Sequence, residues 1–132
     1  MAQGSSKQSI LSDNPDIAAA QEQFGYADAV TAGDTVYLSG IVAYQEEGEA
    51  MDVGFARMFD RFTGTLKRLG LGWEHVVAID TFHIDLGGQS ATFKEVKSRY
   101  IKAPFPAWTA VGVTELARPN ALAEMKIIAW RG

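Results

Sequence analysis

Val53-Gly54-Phe55-Ala56-Arg57-Met58-Phe59-Asp60-Arg61-Phe62-Thr63-Gly64-Thr65-Leu66-Lys67-Arg68-Leu69 is the segment from which the architecture is best approached. Phe55, Phe59, Phe62, Leu66 and Leu69 recur at intervals of four and three and form one apolar stripe, while Arg57, Asp60, Arg61, Lys67 and Arg68 lie away from it. The periodicity predicts an amphipathic helix, with Asp52 as its cap and Gly70 as its stop. A helix with one apolar stripe needs an apolar surface to lie on, and the segments on either side of it read as strands.

Upstream, residues 35–43 alternate as a strand whose Gly40 removes a side chain in mid-run, marking a bulge or a close approach to the backbone. Gly33-Asp34 predicts a two-residue hairpin turn to an earlier strand over 26–31. Asn14 before Pro15 is a helix start, and residues 16–23 supply one or two short helical turns. Residues 1–12 are polar and small and are expected to be a frayed tail, leaving 13–132 as one domain.

Downstream, residues 76–85 form a strand with apolar residues on both faces of its first half, as an interior strand requires. Gly87-Gly88 reads as a turn into a second helix, in which Thr92 and Glu95 have capping-box spacing and Phe93, Val96 and Tyr100 face inward; Pro104 ends it. Strands over about 108–114 and 121–130, joined by a turn at 117–120, complete an α/β (α+β) order of β-β-α-β-α-β-β. Right-handed crossovers put both helices on one face of the mixed sheet. The other face still carries apolar residues at alternate positions (Tyr37 and Ile41, Val77 and Ile79, Val111 and Val113), enough to predict a homo-oligomer whose sheets pack face to face.

Composition narrows the function. The 132 residues are 47% hydrophobic and 21% charged, which fits one ordinary domain around one core. Twelve basic against sixteen acidic residues give a net charge of −4, with no basic run to follow a phosphate backbone, so no nucleic-acid partner is expected. The absence of cysteine excludes disulfides and thiolate catalysis. Residues 1–9 lack the apolar core of a signal peptide and no 18-residue apolar run occurs, so the expectation is a cytoplasmic protein with no membrane partner. His83 with Asp85 and His75 with Glu74 lack a recurring ligand spacing, and no metal site is expected. No glycine-rich phosphate loop appears in a strand-to-helix context.

Near the end of the chain, Pro104-Phe105-Pro106-Ala107-Trp108-Thr109 is a proline-hinged turn that delivers a tryptophan to a strand, and the next strand carries a lone carboxylate, Glu124. Together with Phe24-Gly25-Tyr26-Ala27-Asp28-Ala29-Val30, Gly33-Asp34, Ser39-Gly40 and Pro106-Ala107-x-Thr109, this order resembles the reactive intermediate deaminase family, also called RidA, YjgF-like or endoribonuclease L-PSP-like proteins. The resemblance covers about residues 24–130. It implies a chorismate-mutase-like fold, a homotrimer with its sheets forming a central barrel, and a small-molecule cleft at each subunit boundary. It also implies hydrolysis of enamines and imines, such as 2-aminoacrylate, without a cofactor.

In that family an arginine after Pro-Ala holds the substrate carboxylate, a bidentate task suited to guanidinium. Trp108 stands at that position here. Ile41 replaces the usual glutamine after Ser-Gly, and Lys97 falls where an asparagine is common. The sequence thus looks like an arginine-lacking branch, and the typical 2-aminoacrylate is not its expected substrate.

At the matching positions, Glu124 is the candidate general acid/base; as a strand residue it could equally be solvated and paired with Lys126. Tyr26, Ser39, Gly40, Trp108 and Thr109 are the candidate substrate-binding residues. Tyr26 would donate its hydroxyl or simply pack, Ser39-Gly40 would offer backbone N–H groups or form a bulge, and Trp108 would wall the pocket or fill an interface. Two functions stay open: an imine/enamine hydrolase, and a non-catalytic small-molecule-binding or regulatory trimer. Ribonuclease activity, suggested by one of the family's names, is opposed by the acidic balance.

Overall fold

Helix formation on a sheet is what the segments above dictate, and it is what the computed structural model, which describes residues 7–132, contains. The elements in order are β1 (Gln8–Ile10), α1 (Pro15–Phe24), β2 (Ala29–Ala32), β3 (Thr35–Tyr44), α2 (Met51–Arg68), β4 (Val76–His83), α3 (Leu86–Ser98), β5 (Ala107–Gly112) and β6 (Ala121–Trp130). The expected β-β-α-β-α-β-β order is present, preceded by β1 and α1. One six-stranded sheet runs β1-β2-β3-β6-β4-β5. Among the described residues only β4 and β5 are parallel neighbours; the other pairs are antiparallel.

Both β3 and β4 run antiparallel to β6, so α2 connects two parallel strands across a third. It packs on β3 and β6, α3 packs on β4 and β5, and the two helices touch. The α2 stripe is fully buried at Phe55, Phe59, Phe62 and Leu66, each ring or branched chain contributing about 2 kcal/mol by leaving water. Against it lie Val36, Leu38, Ile79, Met125, Ile127 and Ala129 from the sheet. The helix ends as expected: Leu71 N–H bonds to Leu66 O at 2.9 Å and Gly70 N–H to Lys67 O at 3.0 Å, with Gly70 at φ 75°, a Schellman closure.

Several boundaries differ from the sequence expectation. Gln8–Ile10, placed in the tail by its polarity, pairs with Ala29–Thr31 as the edge strand β1; residues 1–6 of that tail lie outside the described residues. The helix over 16–23 is longer than two short turns, with Asn14 Oδ1 accepting from Asp16 and Ile17 N–H. The cap position of α2 is Ala50, which offers no side-chain bond, and Asp52 sits in the first turn. Asp85, not the Thr92/Glu95 pair, caps α3, accepting from Gly88 N–H at 3.1 Å. Gly87-Gly88 is therefore inside the first helical turn.

Two bulges alter which residues share a face. Leu38 stands opposite Ile127 and Ile41 opposite Met125, so Ser39 and Gly40 share one partner position. Ile41 is thereby returned to the helix side, where it packs on the core. A second irregularity between Val76 and Ala78 leaves Ile79 buried and Val77 exposed. Ile41 and Ile79 thus belong to the helix-covered face, contrary to the strict alternation expected. The opposite face retains Tyr37 beside Ile128, and Val42, Glu124, Phe82 and Val111 in one row. Tyr37, Val77, Val111 and Trp130 are exposed there or at its margins.

Candidate functional site

The bulge at Ser39-Gly40 builds the site. β2 leaves β3 after the pair Ala29 and Leu38, while β3 continues to Tyr44 with β6 on its other side. Ser39 holds the point of departure: its N–H bonds to Asp28 O at 3.0 Å and its hydroxyl donates to Ala27 O at 2.6 Å. Both Ser39 donors are thus committed inside the protein, and its part is to fix the bulge. Beyond it a notch opens, a cavity of about 210 Å³ that brings together Tyr26, Ser39 and Gly40.

Gly40 leaves the space that is taken by what stands over it. A Cβ on residue 40 would collide with a carboxylate oxygen of Glu124 and lie 3.0 Å from its Cδ and 3.2 Å from its Cγ. Glu124 pairs with Val42 on one side and Phe82 on the other, among apolar neighbours on the face that the helices leave uncovered. It forms no ion pair with Lys126 among the described residues.

Trp108 is not beside Glu124 within the chain. It aligns with Ile79 on the helix-covered face, its ring centroid 5.9 Å from that of Phe93 and 4.8 Å from the Lys97 ammonium. Burial lowers the Lys97 pKa below its ordinary value. Trp108 Nε1 donates to Thr81 Oγ1 at 2.9 Å, which leads into a buried chain: Thr81 to His83 Nε2 at 2.8 Å and His83 Nδ1 to Gln89 Oε1 at 2.9 Å. Gln89 Nε2 donates to Leu122 O, so its Oε1 faces the imidazole as an acceptor. His83 is therefore protonated at Nδ1 and accepts from Thr81 at Nε2. Burial lowers the His83 pKa, with the Gln89 bond opposing the shift. This histidine is a core residue held away from Asp85. Thr109 aligns with Asp80 on the Glu124 face, with β6 and β4 between it and the notch on β3.

Sequence reasoning missed two guanidinium groups. Arg61, assigned to the solvent side of α2, and Arg118, in the β5 to β6 turn, both line the notch with Tyr44. That turn is pinned to the end of β3 by Gln45 N–H to Asn120 O at 3.1 Å and Asn120 Nδ2 to Gln45 O at 2.8 Å. The only sequence signal was an arginine between turn residues, and nothing in its spacing ties it to Tyr44 or Arg61.

Comparisons with known proteins bear on the family and the fold. The family described as Endoribonuclease L-PSP matches residues 17–131. The RutC family protein YjgH of Escherichia coli is 34% identical over 109 residues, covering 79% of this chain and 81% of its own. A 2-iminobutanoate/2-iminopropanoate deaminase of Dermatophagoides farinae is 31% identical over 108 residues, covering 78% and 83%. The crystal structure of Rv2704 from Mycobacterium tuberculosis, described as a member of the YjgF/YER057c/UK114 family, superposes with a TM-score of 0.79 at 22% identity, covering 95% of this chain and 99% of that one. At that identity the likeness speaks for the fold.

Proposed function

Because the chain belongs to the Endoribonuclease L-PSP family, the YjgF-like or reactive intermediate deaminase proteins, we propose that it is a cofactor-independent hydrolase of a small imine or enamine. The observation that carries this reading is the Glu124 carboxylate lying over Gly40, a residue that also lines the notch. Its partners in the register are apolar, and a carboxylate so placed is available to a water and a substrate nitrogen rather than to an internal cation.

The chemistry needs one proton-transfer group. Glu124 accepts a proton from water as the water oxygen attacks the imine carbon; the C–O bond forms and the C=N electron pair goes to nitrogen. The same carboxyl delivers that proton to nitrogen, giving a carbinolamine; it then takes the hydroxyl proton and passes it to nitrogen as the oxygen lone pair closes the C=O bond and the C–N bond breaks, and ammonia and a carbonyl compound leave. An enamine enters this sequence after protonation at carbon. Tyr26 and the backbone at Gly40 orient the ligand. Such a general acid/base contributes about 10²- to 10⁴-fold.

The apolar face bearing Tyr37, Val42, Phe82, Val111 and Ile128 supports a homotrimer in which copies of this chain cover one another's sheets. Glu124, on that face, then lies in a cleft between subunits, with Trp108 and Thr109 reaching a cleft from β5, at the sheet edge. Trp108, Ile41 and Lys97 stand where the family carries other side chains, which favours a substrate other than 2-aminoacrylate. The same three positions support the second reading, a trimer that binds a small molecule without turning it over. Imine turnover that is lost in Glu124→Gln supports the first; full activity in Glu124→Gln removes Glu124 as its acid/base, and no turnover of any imine removes the hydrolase in favour of the second.

A further inference from the structure

Lys97, in the last turn of α3, ends on two rings. Its ammonium lies 4.8 Å from the Trp108 ring centroid and 6.0 Å from that of Phe105, and it has no carboxylate partner among the described residues. The acids near α3 are engaged elsewhere: Glu95 and Asp52 both pair with Arg99, and Asp60 accepts from the Tyr100 hydroxyl at 2.7 Å. Lys94, one turn earlier on the helix, adds like charge. From β4, Thr81 and His83 are taken up in the buried chain behind Trp108, and Asp80 lies on the other face of the sheet. The ring faces replace only part of the water an ammonium loses, and burial lowers the Lys97 pKa. The nitrogen is half-buried and so remains open to a reagent. Both rings are accessible too, Phe105 at 71% and Trp108 at 38% exposure, and the indole is fixed by its bond to Thr81 at 2.9 Å and its packing on Phe93.

We propose that Lys97 is a carbonyl-capture site, forming a reversible imine with an aromatic aldehyde whose ring lies against Phe105 and Trp108. The neutral amine attacks the carbonyl carbon, the C–N bond forms and the C=O electron pair goes to oxygen; a proton passes from nitrogen to that oxygen, giving a carbinolamine. The nitrogen lone pair then closes the C=N bond as the hydroxyl takes a proton and leaves as water. Amine and aldehyde thus give imine and water, with no oxidant or reductant. Protonated, the imine is again a cation and stays on the ring faces that held the ammonium, while the aldehyde ring adds a stacking contact. None of these side chains lines the notch beside Glu124, so the capture site stands whether or not Glu124 hydrolyses imines.

The test treats the full chain with benzaldehyde, or with propionaldehyde as a carbonyl without a ring, in the presence of cyanoborohydride, which reduces each imine to a stable amine that peptide mass spectrometry assigns to its lysine. At pH 7 benzaldehyde should modify Lys97 at least about fivefold faster than Lys7, Lys67, Lys94, Lys102 or Lys126, because more of its amine is neutral and its imine has rings to lie on. That lead should shrink at pH 9, where the other amines also lose protons, and it should be at least about threefold smaller with propionaldehyde. Phe105→Ala, at an exposed position where folding should be kept, is expected to slow benzaldehyde at Lys97 at least about threefold and to leave propionaldehyde nearly unchanged; an unaltered denaturation midpoint checks that the variant folds. Benzaldehyde modifying Lys97 no faster than Lys94, a lead as large at pH 9 as at pH 7, or the same lead for both aldehydes would each overturn the proposal. So would an unchanged benzaldehyde rate in a folded Phe105→Ala.

Discussion

The Glu124 carboxylate occupies the space that a side chain at Gly40 would fill, so the bulge on β3 and the acid on β6 are one arrangement. Gly40→Ala must therefore displace Glu124. The obstructing atoms are the end of a flexible chain, and the stability cost should be about 1 kcal/mol. Imine turnover should fall at least about tenfold because the acid is moved from its position. In a Glu124→Ala background the same glycine substitution should cost little, since the clash is gone. A double-mutant cycle by urea denaturation measures this coupling.

Trp108 and Lys97 form a second pair, with the ammonium 4.8 Å from the indole centroid. Trp108→Arg would place a guanidinium against that ammonium and lose the Nε1 bond to Thr81. It should destabilise the protein by about 1–3 kcal/mol. Adding Lys97→Asn removes the like charge and should recover at least about 0.5 kcal/mol. Equal denaturation midpoints for the single and double variants would show that the two side chains do not interact.

How far the sequence foretold these arrangements depended on whether a neighbour from elsewhere in the chain was involved. The α2 stripe and the span of β6 follow from local period and turn signals, and both match. Ile41 and Ile79 were placed on the wrong face because a bulge adds one residue to a period of two, and only the partner strand shows where. Gly87-Gly88 read as a turn because glycine disfavours helix, yet the Asp85 cap outweighs that preference. Gln8–Ile10 has too little apolar character to signal a strand, and its order comes from pairing with β2. At the site, Tyr26, Ser39 and Gly40 were legible as a group through family-like motifs. Arg61 and Arg118 were not, because the bonds that bring the turn to β3 join Gln45 to Asn120.

His83 gives stability a pH dependence. Burial lowers its pKa from the usual 6.5, so the unfolded chain binds the proton more readily than the folded one. The contribution of neutral His83 is fully present above about pH 6.5 and is lost as pH falls from there toward the folded-state value. Urea midpoints should drop between pH 7.5 and 5, with a slope of at most about 1.4 kcal/mol per pH unit from this one group. His83→Gln should be less stable throughout and should lose that part of the slope; an unchanged slope would show that the histidine titrates normally.

The exposed Tyr37 lies beside Ile128 on the uncovered face. If copies of the chain cover that face, Tyr37→Glu buries an unpaired charge at the interface and should convert trimers to monomers, as sedimentation equilibrium would register. A parent protein that sediments as a monomer would contradict the trimer directly.

The central claim is a hydrolase dependent on Glu124. Its most direct test generates imines in situ with an amino-acid oxidase from a panel of aliphatic and aromatic amino acids and follows their disappearance with a semicarbazide trap. The parent protein should accelerate decay of at least one imine, and Glu124→Gln should lower that rate about 100-fold or more while retaining the parent's denaturation midpoint. Decay no faster than in buffer for every imine, or equal rates for parent and Glu124→Gln, would contradict the account.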